Sequence, residues 1–310
     1  NLCLAGGVAL NCVGNGRILR EGPFKKIWVQ PASGDAGGAL GAALLVWYKY
    51  LGNKRIVSGT GDSQKASLLG PCYSDENIED FLKEEGTVYK KLTYADIPRV
   101  ISDLIIQGNV IGWFQGSLEF GPRALGSRSI IGDARNQGMQ SKMNLKIKYR
   151  ESFRPFAPTV LREKVNEWFQ LNEESPYMLL VAGVKEEKRR NLSDSEISAK
   201  GFDKLKVRKS LIPAVTHVDY SARIQTVKRE DNPLYYDTIN AFYKKTGCPV
   251  IINTSFNVRG EPLVCTPQDA YKCFMRTEID YLIMGSFLLD KTAQKALKKD
   301  IRWQEVFQLD

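Results

Sequence analysis

Short apolar runs and amphipathic stretches alternate along this chain of 310 residues. Compact apolar runs bounded by glycine, proline or polar residues are typical of buried strands, whereas apolar residues at helical spacing are typical of helices. A short strand running into a glycine turn is predicted within residues 2–10, and further strands are predicted at residues 110–114, 129–132, 156–161, 178–184, 249–253 and 281–289. Helices are predicted at residues 39–50, 74–83, 97–106, 140–147, 233–245, 267–276 and 292–299. Because strands alternate with helices, the pattern predicts a mixed α/β fold.

Two polar segments interrupt this alternation. Residues 52–64 are polar and contain glycine, which indicates a linker. Residues 185–207 are charged and weakly patterned, which indicates a mobile surface insertion. At roughly 100–200 residues per domain, the length fits one large domain or two smaller ones.

The composition is that of a globular protein with a basic surface. Lys and Arg total 44 against 35 Asp and Glu, and the formal charge of +9 favours anionic partners such as phosphates, nucleotides or nucleic acid. The six cysteines form no C-x-x-C pair, and we interpret them as buried, reduced thiols suited to the cytoplasm. The single histidine, His217, excludes a multi-histidine metal site within these residues.

No segment predicts membrane insertion or export. The longest apolar run, from Ala39 to Trp47, is far shorter than the roughly 20 residues that a membrane-spanning helix needs. No charged segment followed by an apolar one is present at the start, so no signal peptide is predicted. Because the sequence opens at Asn1 inside a motif-like segment, we expect an N-terminal portion to precede it.

The first concentration of candidate chemistry consists of two glycine turns. Gly6 and Gly7 follow an apolar run, and Gly34 precedes Asp35 at the start of a small-residue run. Paired glycines let backbone amides approach a ligand closely, and a helix N-terminus that follows them favours phosphate. Asp35 has only small neighbours, so its carboxylate suits a metal ion or a ribose. The alternative interpretation is tight turn chemistry with a helix cap.

The second concentration is the densest and lies between residues 115 and 158. Glycines and prolines fix an irregular backbone there, and the cationic residues are spaced rather than consecutive. Each guanidinium can grip two oxygens and a lysine adds a point charge, so the arrangement suits a small, multiply charged oxyanion. The alternative is a set of surface salt bridges with Glu119, Asp133 and Glu151, although a solvated face needs no such fixed backbone. The candidate residues are Gln115, Arg123, Arg128, Lys148, Arg150 and Arg154.

A third group lies at the end of the predicted strand at residues 249–253. Asn253, Ser255 and Asn257 are delivered at its carboxyl end, where ligands of open α/β sheets usually bind. A polar turn with Asx-type hydrogen bonds is the alternative.

A fourth and weaker group surrounds His217. Arg223 and Gln225 follow it at alternate positions of a predicted strand, so they share one face and Arg223 could point into the same pocket. A lone histidine is more often structural, and that interpretation stays open.

At these residues the chain resembles the NodU/CmcH-type O-carbamoyltransferases. The shared motifs occur in the family's order and span most of residues 1–290. FGPRALG, FRPFAP and NTSFN in that order are highly specific together. The matching stretches are LAGGVALNCVGNGRI, QPASGDAGGALGAAL, GWFQGSLEFGPRALGSRSI, NLKIKYRESFRPFAPTVL, PAVTHVD with SARIQTV, and INTSFNVRGEPLVCTPQDA.

The resemblance implies two catalytic units. Residues 1–60 are similar to the last part of an actin-like ATPase-fold transferase domain, as in the tRNA threonylcarbamoylation enzymes. Residues 66–310 resemble a whole YrdC-like α/β domain, which converts carbamoyl phosphate and ATP into carbamoyl-adenylate and releases phosphate and pyrophosphate. The first unit would pass the carbamoyl group to an acceptor hydroxyl, a step expected to need the N-terminal portion that is not present here.

The resemblance also implies residue roles. Lys148-Tyr149-Arg150 has the shape of the Lys-x-Arg phosphate motif of YrdC-like domains, and Asp35 matches a metal-ligating carboxylate of the first unit, whose histidine ligands should lie upstream. The residues expected to grip carbamoyl phosphate and the nucleotide phosphates are Arg123, Lys148, Arg154 and Arg223. Substrate or nucleotide binding is predicted for Gly6, Gly7, Gly34, Gln115, Arg128, Arg150, His217, Asn253, Ser255 and Asn257.

The expected ligands follow from these roles. They are carbamoyl phosphate, ATP with Mg²⁺ bridging its phosphates, and a hydroxyl-bearing small molecule or sugar as acceptor. A divalent, iron-like metal is expected in the incomplete first unit. A cytoplasmic location is expected, with no membrane partner. Residues 1–60 should dock their apolar face on the larger unit or on a second copy, which leaves a homodimer open.

Two other functions compete with this one. A nucleotide- or RNA-binding YrdC-like module without complete catalysis would use the basic charge, but the arginines occur singly, without the interleaved aromatic residues that stack bases. Nucleic acid is therefore not the expected partner. A sugar-kinase-like phosphotransferase is supported only by the first glycine segment.

Overall fold

The computed structural model describes residues 1–56, 62–201 and 203–296. Within these ranges the strands are β1 (Leu2–Leu4), β2 (Ile27–Val29), β3 (Lys90–Lys91), β4 (Ile111–Phe114), β5 (Arg128–Asp133), β6 (Ala157–Leu161), β7 (Leu180–Gly183), β8 (Ser221–Val227), β9 (Val250–Ser255), β10 (Tyr281–Met284) and β11 (Phe287–Asp290). The helices are α1 (Cys12–Glu21), α2 (Asp35–Leu45), α3 (Asp75–Glu85), α4 (Ile97–Ile106), α5 (Gln137–Lys146), α6 (Val165–Trp168), α7 (Asp194–Ser198), α8 (Asp203–Lys206), α9 (Pro233–Thr246) and α10 (Pro267–Arg276).

A nine-stranded mixed sheet organises the larger part of the chain, in the order β3-β11-β10-β4-β5-β9-β6-β8-β7. The central strands run in the order β4, β5, β9 and β6, each antiparallel to its neighbour. At the two sides of this group, β10 is parallel to β4 and β8 is parallel to β6. Every residue of β4, β5 and β6 is buried. Strands covered on both faces read as continuous apolar runs, which is why the sequence revealed them. The mixed α/β fold is confirmed.

The principal helices begin and end at the signals that the sequence carries. The side chain of Ser74 accepts a hydrogen bond from the backbone N of Asn77 at the start of α3, and Thr266 caps α10 in the same way. Gly86 and Gly247 end α3 and α9 in the left-handed region, with φ of 68° and 70°. Helices α4 and α9 pack on each other and on the central strands.

The N-terminal segment docks on the edge of the large sheet. Strands β1 and β2 pair in parallel as a separate two-stranded sheet, and α1 packs against β7. Arg20 Nη1 donates to the backbone O of Val181 at 2.7 Å, and a Cβ added at Gly16 would lie only 2.2 Å from that same oxygen. Asn15 donates to the backbone O of Leu179 at 3.1 Å. The expected docking on the larger unit is therefore present, although no residue of α2 is buried.

Several element predictions are wrong. Residues 281–289 form the β10–β11 hairpin rather than one strand, because Gly285 turns the chain with a φ of 52°. By contrast, the short strand and glycine turn predicted within residues 2–10 are confirmed, since β1 stops at Leu4 and residues 7–10 form a 3₁₀ turn. Helix α1 was not predicted. The tail is a 3₁₀ turn at residues 291–293, and the end of its predicted helix lies outside the described residues, as does part of the predicted linker.

Two further expectations concern the surface. The charged insertion carries α7 and α8, and an isolated antiparallel bridge between Arg189 and Ser210 pairs the two ends of this segment. The expectation that all the cysteines are buried is wrong, because Cys3 and Cys72 are exposed while Cys248 and Cys273 are buried. None of the helices in the described ranges combines the length and apolarity needed to cross a bilayer.

Candidate functional site

A cavity of ≈ 390 Å³ opens where the carboxyl end of β9, strand β8, helix α1 and two loops meet. We call it the arginine cavity, because four arginines line it and its lining contains no carboxylate. Cys12 and Val13 of α1 complete its wall, so the N-terminal segment contributes to the site. The predicted site residues that it brings together are Arg123, Arg150, Arg154, Arg223, His217, Asn253 and Ser255.

The arginines give the cavity a net positive charge. The pKa of Arg223 is lowered to about 10, chiefly by burial and also by the nearby charges of Arg123 and Arg150. Burial likewise lowers the pKa of Arg150 to about 10, with Arg154 adding to the effect. The Nε atoms of Arg123 and Arg223 are buried without a hydrogen-bond partner in the described ranges. Arg154 forms an ion pair with Glu151 at 2.8 Å. A bound oxyanion would offset this repulsion and accept from these donors.

Glu119 holds the loop that presents Arg123. Its buried carboxylate accepts hydrogen bonds from the backbone N of Leu125 and of Ser127, both at 2.8 Å, and from that of Arg128 at 3.2 Å. The alternative interpretation makes Glu119 a salt-bridge partner of surface arginines, whereas in the structure its carboxylate binds backbone amides. Sequence reasoning missed this role, although a glutamate amid glycines and prolines was the available signal.

Arg128 and Gln115 lie outside the lining of the arginine cavity. Arg128 is fully buried and donates to the backbone O of Gln115 at 2.9 Å and of Pro71 at 3.2 Å. Its guanidinium lies 3.6 Å from the ring centre of Phe114. Gln115 Nε2 donates to the backbone O of Gly285 at 2.8 Å. Because the Nη atoms of Arg128 and Nε2 of Gln115 donate to backbone carbonyls, these side chains brace the loops here, and ligand binding by them stays a prediction.

Lys148 lies behind the cavity and supports its floor. Its buried Nζ, with three N–H donors, lies within hydrogen-bond distance of four oxygens: Ser255 Oγ at 3.1 Å, Asn257 Oδ1 at 2.7 Å and the backbone O atoms of Ser255 at 2.5 Å and Asn257 at 2.9 Å. Neither Lys148 nor Asn257 is among the lining residues, whereas Ser255 is. Burial lowers the pKa of Lys148 to about 7, an effect that Cys273 opposes and Arg150 reinforces. The Lys-x-Arg and Ser-x-Asn segments therefore meet as one hydrogen-bonded unit.

The depressed pKa of Lys148 predicts a pH dependence of stability. In the unfolded chain a lysine titrates at about 10.4, so between pH about 7 and about 10 the unfolded state binds more protons and stability should rise with pH. Urea unfolding should show that the free energy of unfolding rises more steeply with pH across this range for wild type than for Lys148→Met. The exposed Lys146, ion-paired with Glu278 at 2.9 Å, offers the control Lys146→Met, which should keep the wild-type slope. Equal slopes for wild type and Lys148→Met would contradict the prediction.

His217 is held as one neutral tautomer. Ser221 Oγ donates its proton to Asp219 Oδ1 at 2.7 Å, so toward His217 Nδ1, 3.1 Å away, it can only accept. Nδ1 therefore carries the ring proton, and Nε2 is left as an acceptor. Burial lowers the pKa of His217, Arg223 lowers it further and Asp219 opposes the shift.

A second cavity adjoins the first. It has a volume of ≈ 410 Å³ and shares His217 and Pro155 with the lining of the arginine cavity. Its wall also contains the apolar side chains of Phe153, Pro213 and Val218. His217 thus stands between a strongly cationic space and a more apolar one.

The glycine turns of the N-terminal segment do not line either cavity. Gly6 adopts a φ of 91°, and a Cβ added at Gly6 or Gly7 would meet no atom within 4 Å. Gly34 precedes α2, and Asp35 is exposed in its first turn. In the described ranges no group of three or more His, Cys, Asp or Glu could hold a metal ion. The residues present therefore do not by themselves form the metal site that was expected at Asp35.

Comparison with protein families gives two matches along the chain. The model described as "Carbamoyltransferase C-terminus" matches residues 102–291, and the one described as "Carbamoyltransferase N-terminus" matches residues 1–44. The region matched by the C-terminal model contains most residues of the arginine cavity. The second contains both glycine turns and the α1 residues of the cavity wall.

Curated relatives are similar along nearly the whole chain. An uncharacterized protein of Synechocystis is 59% identical, covering 100% of this chain and 51% of the relative. The nodulation protein NolNO of Sinorhizobium fredii is 42% identical, covering 94% of this chain and 40% of the relative. The 3'-hydroxymethylcephem-O-carbamoyltransferase of Streptomyces clavuligerus is 30% identical, covering 92% and 47%. The chain thus spans about half or less of the length of these relatives.

Among solved structures, full-length HypF in the phosphate- and nucleotide-bound form shares 14% identity with this chain. The TM-score is 0.39, and the match covers 69% of this chain and 23% of that one. This similarity is too low to carry an argument about function.

Proposed function

The chain belongs to the carbamoyltransferase family, and on that premise we propose that it forms carbamoyl-adenylate from carbamoyl phosphate and ATP. In the second step, the carbamoyl group passes to a hydroxyl of a small-molecule or sugar acceptor. This step would also need a region that the longer relatives have and this chain does not span. The single observation that carries the first half is the arginine cavity, where four guanidinium groups converge without a carboxylate in the lining.

Carbamoyl phosphate and ATP match this charge. Both are polyanions, and the unpartnered Nε–H groups of Arg123 and Arg223 can donate hydrogen bonds to phosphate oxygens. The adjoining cavity, with its apolar wall, offers room for a nucleoside next to the phosphates. Concave placement of the cations favours a small ligand over RNA, which tracks along an extended basic groove.

The reaction can be written with its atoms balanced. Water cleaves carbamoyl phosphate to carbamate and inorganic phosphate, and the departing phosphate is held by the arginines. An oxygen of carbamate then attacks the α-phosphorus of ATP, the bond to the β-phosphate breaks, and pyrophosphate leaves. Both steps move negative charge between bound anions, so positioning and electrostatic stabilisation are the main requirements.

The ions expected with this reaction differ in how well the chain can hold them. Mg²⁺, when it accompanies ATP, supplies charge neutralisation on the phosphates; the cavity lining contains no carboxylate to bind it, so it would enter on the nucleotide. The iron-like metal does not fit the described residues, because Asp35 is an isolated, exposed carboxylate.

Pyrophosphate release tests the proposal. The purified chain with ATP and Mg²⁺ should release pyrophosphate only when carbamoyl phosphate is added, and Arg154→Ala should reduce the rate by at least about tenfold, as expected for loss of a charge-assisted hydrogen bond. Arg99→Ala is a matched control, since Arg99 also forms an exposed ion pair with an acidic residue three positions earlier, Asp96, but lies elsewhere. Folded protein that releases no pyrophosphate would refute adenylate formation by this chain.

A further inference from the structure

One buried acceptor in the wall of the arginine cavity has no donor. Asn253 lies in β9, between Ile131 of β5 and Ala157 of β6, and is only 1% exposed. Its Oδ1 is buried and has no hydrogen-bond partner in the described ranges. A buried acceptor without a donor costs stability, so its persistence at the wall of a cavity indicates that a ligand or a water supplies the donor.

The orientation of this amide is fixed by its neighbours. Asn253 Nδ2 donates to the backbone O of Ala124 at 3.1 Å and to Gln225 Oε1 at 2.7 Å. Gln225 cannot turn, because its Nε2 donates to the backbone O of Leu125 at 2.8 Å and its Oε1 also accepts from Thr159 at 2.6 Å. A flipped Asn253 would set its oxygen against two other acceptors. The network therefore keeps Oδ1 as the unpaired atom.

This acceptor stands among donors. The four arginines of the cavity can only donate hydrogen bonds. Another acceptor in the lining, the ring nitrogen Nε2 of His217, belongs to a half-exposed side chain that water can reach. From this arrangement we infer that Asn253 Oδ1 recognises an N–H donor of the ligand and so determines which acyl phosphate the site accepts. Resting on the proposed function, the inference assigns that donor to the amino group of carbamoyl phosphate.

The consequence is selectivity against acyl phosphates without such a donor. Acetyl phosphate has the same charge and nearly the same shape, but a methyl group replaces the amino group. With acetyl phosphate bound, Oδ1 would stay buried and unpaired, whereas with carbamoyl phosphate it would be satisfied. The arginines would grip both phosphates equally, so the difference between the two ligands isolates the contribution of Asn253.

Calorimetric binding of carbamoyl phosphate and acetyl phosphate to the purified chain tests the inference. Wild type should bind carbamoyl phosphate about 10- to 100-fold more tightly, the factor expected for one buried polar group left unpaired. Asn253→Ala should bring the ratio close to one, mainly by weakening carbamoyl phosphate. Thr159→Val disturbs the same network without removing Oδ1 and should keep the wild-type ratio, so general loosening of the site cannot mimic the expected result.

The outcomes separate this inference from the proposed function. Wild type that binds both acyl phosphates and inorganic phosphate equally would leave the anion site standing and overturn the role of Asn253. An unchanged ratio in folded Asn253→Ala would overturn it as well, and would mean that water satisfies Oδ1. Binding of none of the three anions would instead refute the proposed function. Should Asn253→Ala fail to fold, the wild-type ratio decides: a ratio near one overturns the inference and a ratio of about ten or more supports it.

Discussion

Replacement of Arg223 by methionine should weaken phosphate binding by about 100-fold while leaving the protein at least as stable as wild type. Arg223 lies in β8, half-buried and close to Arg123 and Arg150, whose charges repel it and help to lower its pKa to about 10. Its removal takes away two charge-assisted hydrogen bonds to the anion, each contributing on the order of 1.5 kcal/mol. It also relieves the repulsion in the empty site. Binding and stability should therefore change in opposite directions.

Isothermal calorimetry with inorganic phosphate and urea unfolding measure the two effects on the same variant. Arg229→Met is the control, because Arg229 is an exposed arginine paired with Asp237 at 2.9 Å and lies outside the cavity lining. It should leave phosphate affinity unchanged. A loss of stability in Arg223→Met that matches its loss of affinity would show that Arg223 is structural rather than a ligand-binding cation.

Replacement of Glu119 by glutamine should damage stability and anion binding together. Three backbone amides donate to Oε1 of Glu119. A neutral amide of the same shape accepts more weakly, and with its oxygen in the place of Oε1 it sets its NH₂ group against the Arg128 amide, which also reaches Oε2. Hydrogen bonds to a charged group contribute about 1.5–3 kcal/mol each, so we expect a loss of about 3 kcal/mol in the free energy of unfolding. The loop that presents Arg123 would loosen, and phosphate affinity should fall with it.

Urea unfolding and phosphate calorimetry again provide the measurements. Glu163→Gln is the matched control, since Glu163 is an exposed glutamate that accepts one hydrogen bond, from the hydroxyl of Tyr236 at 2.6 Å. It should change the free energy of unfolding by less than about 0.5 kcal/mol, as is usual for surface substitutions. Wild-type stability in Glu119→Gln would show that the loop keeps its conformation without the carboxylate.

The two variants also distinguish two ways in which the cavity acquires its charge. Arg223 is delivered by a regular strand, and its position depends on the register of β8 against β7 and β6. Arg123 is delivered by an irregular loop, and its position depends on Glu119 and on the packing of Gly126 against Tyr235, where an added Cβ would lie 2.4 Å from the ring. Holding like charges close together lowers the stability of the protein before a ligand binds. Both the strand register and the braced loop hold the arginines in place despite this cost.

Much of the fold was readable because buried strands and capped helices leave local signals. The bounds predicted for α4 and α10 agree with the structure, since amphipathic spacing and an N-terminal proline are properties of neighbouring residues. The β10–β11 hairpin and α1 were missed. The hairpin depends on one left-handed glycine within a continuous apolar run, and α1 has a short apolar face interrupted by glycine.

The sequence by itself determined the mixed α/β class, the family and the set of cations that suit an oxyanion, because composition, periodicity and ordered motifs are all written locally. It could not decide which of those residues face a ligand. Only the tertiary structure separates Arg223, which lines the cavity, from Arg128, which lies outside the lining and whose Nη atoms donate to backbone carbonyls. The physical reason is that burial and hydrogen-bond partners come from distant segments, so residues of one type in similar loops acquire different roles only when the chain folds.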